Sequence, residues 1–555
     1  MCNTAAHPGA RMNFGFVIDN SSCIGCHACS TACKSENEVP LGVYRTWVKS
    51  VEAGQYPDVR RSFQVTRCNH CANPPCARIC PTSAMFQRDD GIVEFDSDAC
   101  IGCKACMQAC PYDAIYLDPD NHTAAKCNFC APRIDVGLEP ACVVVCPEHA
   151  ILAGDLDDPK SEVSRALGRS HATVRKPEQG TSPKLFYIQG NELTLHPDAG
   201  IRPESFAAAD VRDHGHAGYR PAATPPNTRV SDRGMTLRTP RAQGLPAGGP
   251  ITIGGRMAEQ MVQVAYNAQH QVQWHWPIPA YLVTKHIAGG VFGLCALGAL
   301  GLLPFDPRAV VFGGALGLVM LVITLALLVY DLDRPDRFFF LLLRPQWKSW
   351  VARAAWILSG FAGVVFAWWG LEVAGWRGWL DADLVAMARV PLAVLTVPLA
   401  ALTATYTAFL FAQAEGRDLW QGQHLPVLMA AQGVALGAAP LVALGAFDLI
   451  DPSVGIAARY LMLAALVLAL GTQLVADLWI TAPSELARRA LESILRGPYR
   501  LWYWVGGVAV GQVLPIGLLL SGVAPLAALA VLPASLGLFA WAYAFVMAPQ
   551  ELPNS

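Results

Sequence analysis

Apolar residues are distributed unevenly along this chain. From residue 279 to 547 it runs in Ala, Leu, Val, Gly, Phe and Trp, and short polar loops divide it into stretches. A bilayer span needs about 20 largely apolar residues. Eight stretches meet that length, at approximately 281–303, 309–330, 352–371, 390–413, 425–447, 456–479, 501–521 and 525–547. Gly, Ala and Ser recur inside them at close spacing, which lets helices approach. Residues 1–275 are polar instead, with Gly, Pro and charge throughout. Residues 193–255, rich in Pro, Gly, Ala, Arg and Asp, read as an extended linker. Arg256–Trp276, with Met257, Met261, Val264, Ala265, Tyr266, Trp274 and Trp276, reads either as an interfacial segment or as a loop packed on the polar domain. The pattern therefore predicts a polar domain over 1–192, a linker over 193–276 and an all-α polytopic membrane domain over 277–548.

Composition adds little to this division. The 555 residues carry a net charge of -2, so no strong polyelectrolyte partner, nucleic acid included, is implied. Charge placement adds more. Arg334, Arg337, Arg344, Lys348, Arg417, Arg488, Arg489, Arg496 and Arg500 fall in loops on one side of the spans. The opposite loops hold Arg308, Arg377 and Arg389 among several acidic residues. Basic loops stay cytoplasmic, so both ends of an even-numbered bundle, and the polar domain with them, are expected on the cytoplasmic side of the inner membrane. Residues 1–20 show neither an apolar signal core nor a twin-arginine pair. An alternative reading has the arginines docking a partner subunit.

Candidate chemistry comes from cysteine. Seventeen of the eighteen cysteines lie in residues 1–146, and sixteen form four groups. The first is Cys23, Cys26, Cys29 and Cys33; the second is Cys68, Cys71, Cys76 and Cys80. The third is Cys100, Cys103, Cys106 and Cys110; the fourth is Cys127, Cys130, Cys142 and Cys146. A CxxCxxC loop wraps three thiolates around one iron–sulfur cube, and the fourth cysteine ligates the neighbouring cube. Pro81, Pro111 and Pro147 follow three of the groups, as at helix starts. Ile24-Gly25 and Ile101-Gly102 occupy equivalent positions, so groups one and three look like an internal repeat. Sixteen ligands suffice for four [4Fe–4S] clusters. Two CxxC pairs also make a zinc site, but four cysteines within eleven residues, twice over, is not a usual zinc pattern. Cys2 reads as a free thiol, Cys295 as a packing residue, and His27 and His70 as loop residues.

The order of the four groups resembles the iron–sulfur subunit of the DMSO reductase, polysulfide reductase and formate dehydrogenase type of complex, across about residues 12–190. The tail Asp158-Pro159-Lys160-Ser161-Glu162-Val163 and Gly180-Thr181-Ser182-Pro183-Lys184 belongs to the same likeness. The resemblance implies an α+β ferredoxin-like fold with two nested 2[4Fe–4S] modules. It implies the pairings Cys23, Cys26, Cys29 with Cys146; Cys127, Cys130, Cys142 with Cys33; Cys68, Cys71, Cys76 with Cys110; and Cys100, Cys103, Cys106 with Cys80. Residues 270–547 resemble NrfD-like quinone-interacting membrane subunits. That likeness rests on Trp276-Pro277, Tyr281-Leu282-Val283-Thr284-Lys285-His286, and Asp331-Leu332-Asp333-Arg334-Pro335-Asp336-Arg337-Phe338 before Leu342-Leu343-Arg344-Pro345.

A quinone, menaquinone or ubiquinone, needs donors to two carbonyl oxygens and a route for protons. Ionisable residues within a bilayer are expensive and tend to be functional. Lys285 and His286, about one turn into the first span, and Tyr281 supply donors; Asp331 is placed to relay protons, and Tyr406 is a further candidate. Lys285 also reads as a snorkelling cation, and Asp331 as a cap or a partner of Arg334. Glu372, Asp477 and Arg353 read as interfacial. The expectation is an electron-transfer and membrane-anchor subunit without a substrate-catalytic site of its own. It would link a molybdopterin-type catalytic partner to lipid-borne quinone. A self-contained ferredoxin–quinone oxidoreductase, or an ion-translocating module of a larger respiratory complex, are the alternatives.

Overall fold

A computed structural model describes residues 12–53, 57, 58, 60–197 and 270–555. Cys2 and most of the linker and its interfacial segment lie outside these residues. The chain divides into two compact units, residues 1–271 with 551–555 and residues 272–550.

In chain order the first unit runs β1 (Phe14–Asp19), α1 (Ala28–Glu36), β2 (Thr46–Ala53), β3 (Arg60–Arg67), α2 (Pro75–Ile79), β4 (Met85–Gln87) and β5 (Val93–Phe95). It continues with α3 (Ala105–Ala109), β6 (Ile115–Leu117), β7 (Ala124–Lys126), α4 (Ala131–Ile134), α5 (Ala141–Val144), β8 (Ile151–Asp155), α6 (Glu162–Arg169), β9 (Ala172–Thr173) and β10 (Leu185–Ile188). One four-stranded sheet, ordered β8-β1-β10-β9, gathers the ends of the unit; β1 runs parallel to β10 and antiparallel to β8. Phe16, Val17 and Ile18 are all buried, so β1 is covered on both faces. Val17 packs with Val163 and Ile188, whereas Phe16 stacks on Phe129, with ring centroids 4.1 Å apart, among the cysteine loops. The other strands form the hairpins β2-β3, β4-β5 and β6-β7. The expected α+β architecture is the observed one.

Eight helices of the second unit are long and apolar enough to span a membrane: Pro277–Ala299, Ala309–Tyr330, Trp350–Trp376, Ala382–Gln413, Leu425–Ala446, Pro452–Leu478, Trp502–Leu520 and Ala524–Gln550. The first begins at Pro277, a residue suited to the first helical position. Lys285 therefore sits more than two turns inside the span, deeper than the sequence alone suggests. Trp274 departs from the interfacial reading: it is buried and stacks on Trp420, with centroids 5.6 Å apart. Glu372 is not interfacial either. It is 2% exposed and takes bonds of 2.6 and 2.9 Å from Arg389 and 3.1 Å from Trp368.

Small residues set how close the helices come. A Cβ on Gly290 of the first span would lie 2.1 Å from the Gly433 carbonyl oxygen and 2.5 Å from the Gly437 Cα of the fifth. A side chain at this crossing forces the two helices apart. Gly437→Val is therefore expected to destabilise the bundle by about 2 kcal/mol or more, at the upper end of overpacking costs. Gly471→Ala, with nothing within 4 Å of the added Cβ, serves as the unaffected control. Thermal unfolding of the two variants in one detergent checks this, and equal midpoints would contradict it.

Candidate functional site

The sixteen cysteines gather into four sets of thiols. Cys23, Cys26, Cys29 and Cys146 line one cavity, and Cys80, Cys100, Cys103 and Cys106 line another. Cys33 lies within Coulombic reach of Cys127, Cys130 and Cys142. Cys76 lies within reach of Cys68, Cys71 and Cys110. Each set thus joins three cysteines of one group to one of another. Neighbouring sets approach at Cys29 and Cys142, at Cys127 and Cys68, and at Cys106 and Cys76. The order runs from the Cys23 set through the Cys33 set and the Cys68 set to the Cys80 set. All eight cysteines of the two inner sets are buried, whereas Cys26 is exposed and Cys23, Cys146 and Cys103 are half-buried at the outer ones.

Local backbone explains how three thiols turn inward from so short a loop. Gly25, His27, Gly102 and Lys104 have φ of 68°, 59°, 68° and 61°. Residues of alternating hand aim successive N–H groups into one concavity, a shape that holds anions and iron–sulfur cubes. Gly25 is further constrained, because a Cβ there would sit 2.3 Å from the Phe63 ring. The backbone N–H groups of Met85, Ala124 and Ala150 point at Cys80, Cys100 and Cys146 sulfurs over 3.4, 3.5 and 3.3 Å. His27 stands at the N-cap position of α1, and His70 Nδ1 accepts from the Val93 N–H at 3.1 Å.

Burial pushes the Cys29 and Cys127 thiols up to about 12, so thiolates at these positions require cations beside them. Iron supplies such charge. Among the described residues, no three His, Cys, Asp or Glu side chains converge as one mononuclear ion requires. The two outer sets line cavities and each of the four brings four thiols together, which suits a cube with an iron at each of four corners and fits the expected group.

Groups two and four form a second internal repeat that sequence reading passed over. Arg67-Cys68-Asn69-His70-Cys71 matches Lys126-Cys127-Asn128-Phe129-Cys130, and both groups close with CxxxCP. His70 and Phe129, at equivalent positions, both have positive φ and pack edge to face at 5.2 Å. The unequal insertions, four residues against eleven, hide the repeat in the sequence.

In the membrane unit, Lys285 Nζ donates to the Thr403 and Ala404 carbonyls of the fourth span, at 3.0 and 2.8 Å, and lies 4.8 Å from the Tyr406 ring centre. His286 Nε2 faces the same Ala404 carbonyl at 3.1 Å. A carbonyl only accepts, so Nε2 carries the proton and Nδ1 is a bare acceptor. Tyr281 donates to Thr407 Oγ1 at 3.4 Å. Buried atoms without a partner include His286 Nδ1 on the first span, the Tyr406 hydroxyl and Thr403 Oγ1 on the fourth, and Gln432 Oε1 on the fifth. Unpaired buried polar atoms cost free energy. Asp331 ends the second span as its C-cap, in Coulombic reach of Tyr281. Arg334 pairs with Asp336. Sequence reading missed Thr403, Thr407 and Gln432, more than 100 residues from Lys285.

A family model described as polysulphide reductase, NrfD, matches residues 265–549, more than half of the chain. This protein belongs to the NrfD family. A second model, the 4Fe–4S dicluster domain, matches residues 59–156. The iron–sulfur half of this NrfD-family protein is similar to a tetrathionate reductase subunit of Salmonella typhimurium, 41% identical over 35% of the chain and 80% of that protein. It is similar to a component of the polysulfide reductase of Wolinella succinogenes, 44% identical over 32% of the chain and 93% of that protein. Protein NrfC of Escherichia coli is 44% identical over 32% of the chain and 81% of its own length. An iron–sulfur subunit of this type and an NrfD multi-pass membrane domain are thus joined in one polypeptide, with bound iron–sulfur clusters.

Proposed function

We propose that this chain carries electrons along four [4Fe–4S] clusters between a molybdopterin-type catalytic partner and a quinone bound in the membrane unit. The single observation that carries this reading is the sorting of sixteen cysteines into four sets in file. Relatives named as parts of tetrathionate and polysulfide reductases support the pterin partner. The exposed Cys26 and half-buried Cys103 ends suit entry and exit of electrons, since both outer sets reach the surface.

The unpartnered atoms around Lys285 and His286 support the quinone site. His286 Nδ1 takes a proton from a quinol hydroxyl; the Tyr406 hydroxyl and Lys285 hold the oxygens; Tyr281 and Asp331 lead toward the end of the second span. The basic loops support a cytoplasmic position for the cluster unit in the inner membrane, although Arg417 is buried against the Pro549 carbonyl and does not report on topology.

The full chain, purified in detergent, tests the reading. It is expected to hold sixteen iron and sixteen acid-labile sulfide per chain, by the ratio of four cubes. Anaerobic addition of a menaquinol or ubiquinol analogue is expected to bleach the clusters. Zinc without sulfide, or clusters indifferent to every quinol and quinone, would overturn it.

A further inference from the structure

Two buried cations sit at equivalent places in the second repeat. Arg67 ends β3 immediately before Cys68, and Lys126 ends β7 immediately before Cys127. Each is fully buried, and each faces the third cysteine of the other group. Arg67 lies in Coulombic reach of Cys142, Cys127 and Cys29, and Lys126 in reach of Cys76. Each of these positive charges thereby serves the half of the wire opposite its own sequence position.

The two differ in what their donors do. Lys126 Nζ is held by the Val93 and Cys127 carbonyls, the latter at 3.0 Å, and offers its neighbours charge alone. Arg67 Nη1 donates to Cys142 Sγ at 2.8 Å, and its guanidinium lies 4.7 Å from the Phe16 ring centre. Its Nε and Nη2 are buried without a partner. Leaving two guanidinium donors unpaired in a protein interior is costly, and the guanidinium lies in Coulombic reach of thiols of the Cys33 and Cys23 sets. A planar fork cannot relax into another pairing as an ammonium can.

We infer that Arg67 is the residue that raises the reduction potential of the cluster held by Cys33, Cys127, Cys130 and Cys142, with a smaller effect at the Cys23 set, and that Lys126 does the same by charge for the Cys68 set. This rests on the reading of the thiols as cluster ligands. Reduction adds one negative charge to an anionic cube; hydrogen bonds to sulfur and nearby positive charge stabilise that charge. No proton moves, because the guanidinium stays protonated throughout. The electron comes from the neighbouring cluster and passes to the next. Arg67 is a positioning and tuning group and touches no substrate.

The test is an EPR-monitored redox titration of the full-length chain as wild type, Arg67→Lys, Arg67→Met and Lys126→Met. Iron, sulfide and the number of EPR-active clusters are counted first; fewer clusters in the wild type would break the ligand reading, whatever the potentials do. In the Arg67→Met chain, one cluster is expected to become at least about tenfold harder to reduce, about 59 mV for a one-electron couple, with a smaller fall at a second. Arg67→Lys, which keeps charge and loses the fork, is expected to give a partial fall and covers the case in which the Met variant does not assemble. Lys126→Met is expected to move a different cluster. Potentials unchanged in both Arg67 variants, or the same clusters moving in the Arg67 and Lys126 variants, would overturn the inference.

Discussion

His286→Gln is expected to lower quinone-linked turnover roughly 100-fold or more, the range attributed to a positioned general base, while every cluster signal persists. Gln keeps an amide donor for the Ala404 carbonyl that His286 Nε2 now faces at 3.1 Å. It has no basic nitrogen to put where Nδ1 stands unpartnered. The variant thus separates holding the fourth span from accepting a proton. Lys285→Met, which removes the donor to the Thr403 and Ala404 carbonyls, is expected to be as damaging to turnover. Tyr406→Phe, which deletes only an unpartnered hydroxyl, is expected to cost about tenfold, within the worth of one good hydrogen bond to a charged group. Stopped-flow reduction of the clusters by quinol, with EPR of the dithionite-reduced protein as control, reads all three. Unchanged quinol kinetics in the first two would remove the site from this place.

Removing iron is expected to unfold the cluster unit and leave the membrane helices standing. Two of its apolar clusters hold Val17, Val163 and Ile188, and Tyr44 and Trp47. Twelve cysteines of that unit are buried, together with the cations Arg67 and Lys126. Without clusters, these charges lose the anions that offset their burial, and an unpaired buried charge costs several kcal/mol. Ligation by structural metal contributes about 10–16 kcal/mol to folding in small zinc domains, and a unit this dependent on its ligands is expected to follow them. After anaerobic chelation, limited proteolysis should cut throughout residues 12–197, while far-UV circular dichroism retains the helical signal of the eight spans. An apo chain whose cluster unit resists protease as the holo chain does would contradict this.

The cysteine groups were legible in the sequence because their members are local. In groups one and three a CxxCxxC loop holds three thiols within seven residues. The division into a polar and a membrane half was equally plain, since water and lipid select composition directly. The quinone candidates were only half legible. Lys285 and His286 announce themselves as costly residues in an apolar run, whereas Thr403 and Ala404 are ordinary positions in another span until helix packing puts them beside Lys285 and His286. Glu372 shows the same limit in reverse. Its place near a span end suggests an interface, yet Arg389, seventeen residues on, buries it in an ion pair.

By itself, then, the sequence determined how its cysteines are grouped, which stretches are long and apolar enough to cross a bilayer and which residues in them are costly there. These follow from short-range spacing and from the solvent each segment tolerates. Only the tertiary structure decided which thiol sets stand next to one another, that Arg67 and Lys126 each face the other repeat's cysteine, and which helix meets Lys285. Those are contacts between distant residues, set by where Gly290 and Gly437 allow backbones to touch and by how β1 draws β8 and β10 together, and no local pattern encodes them.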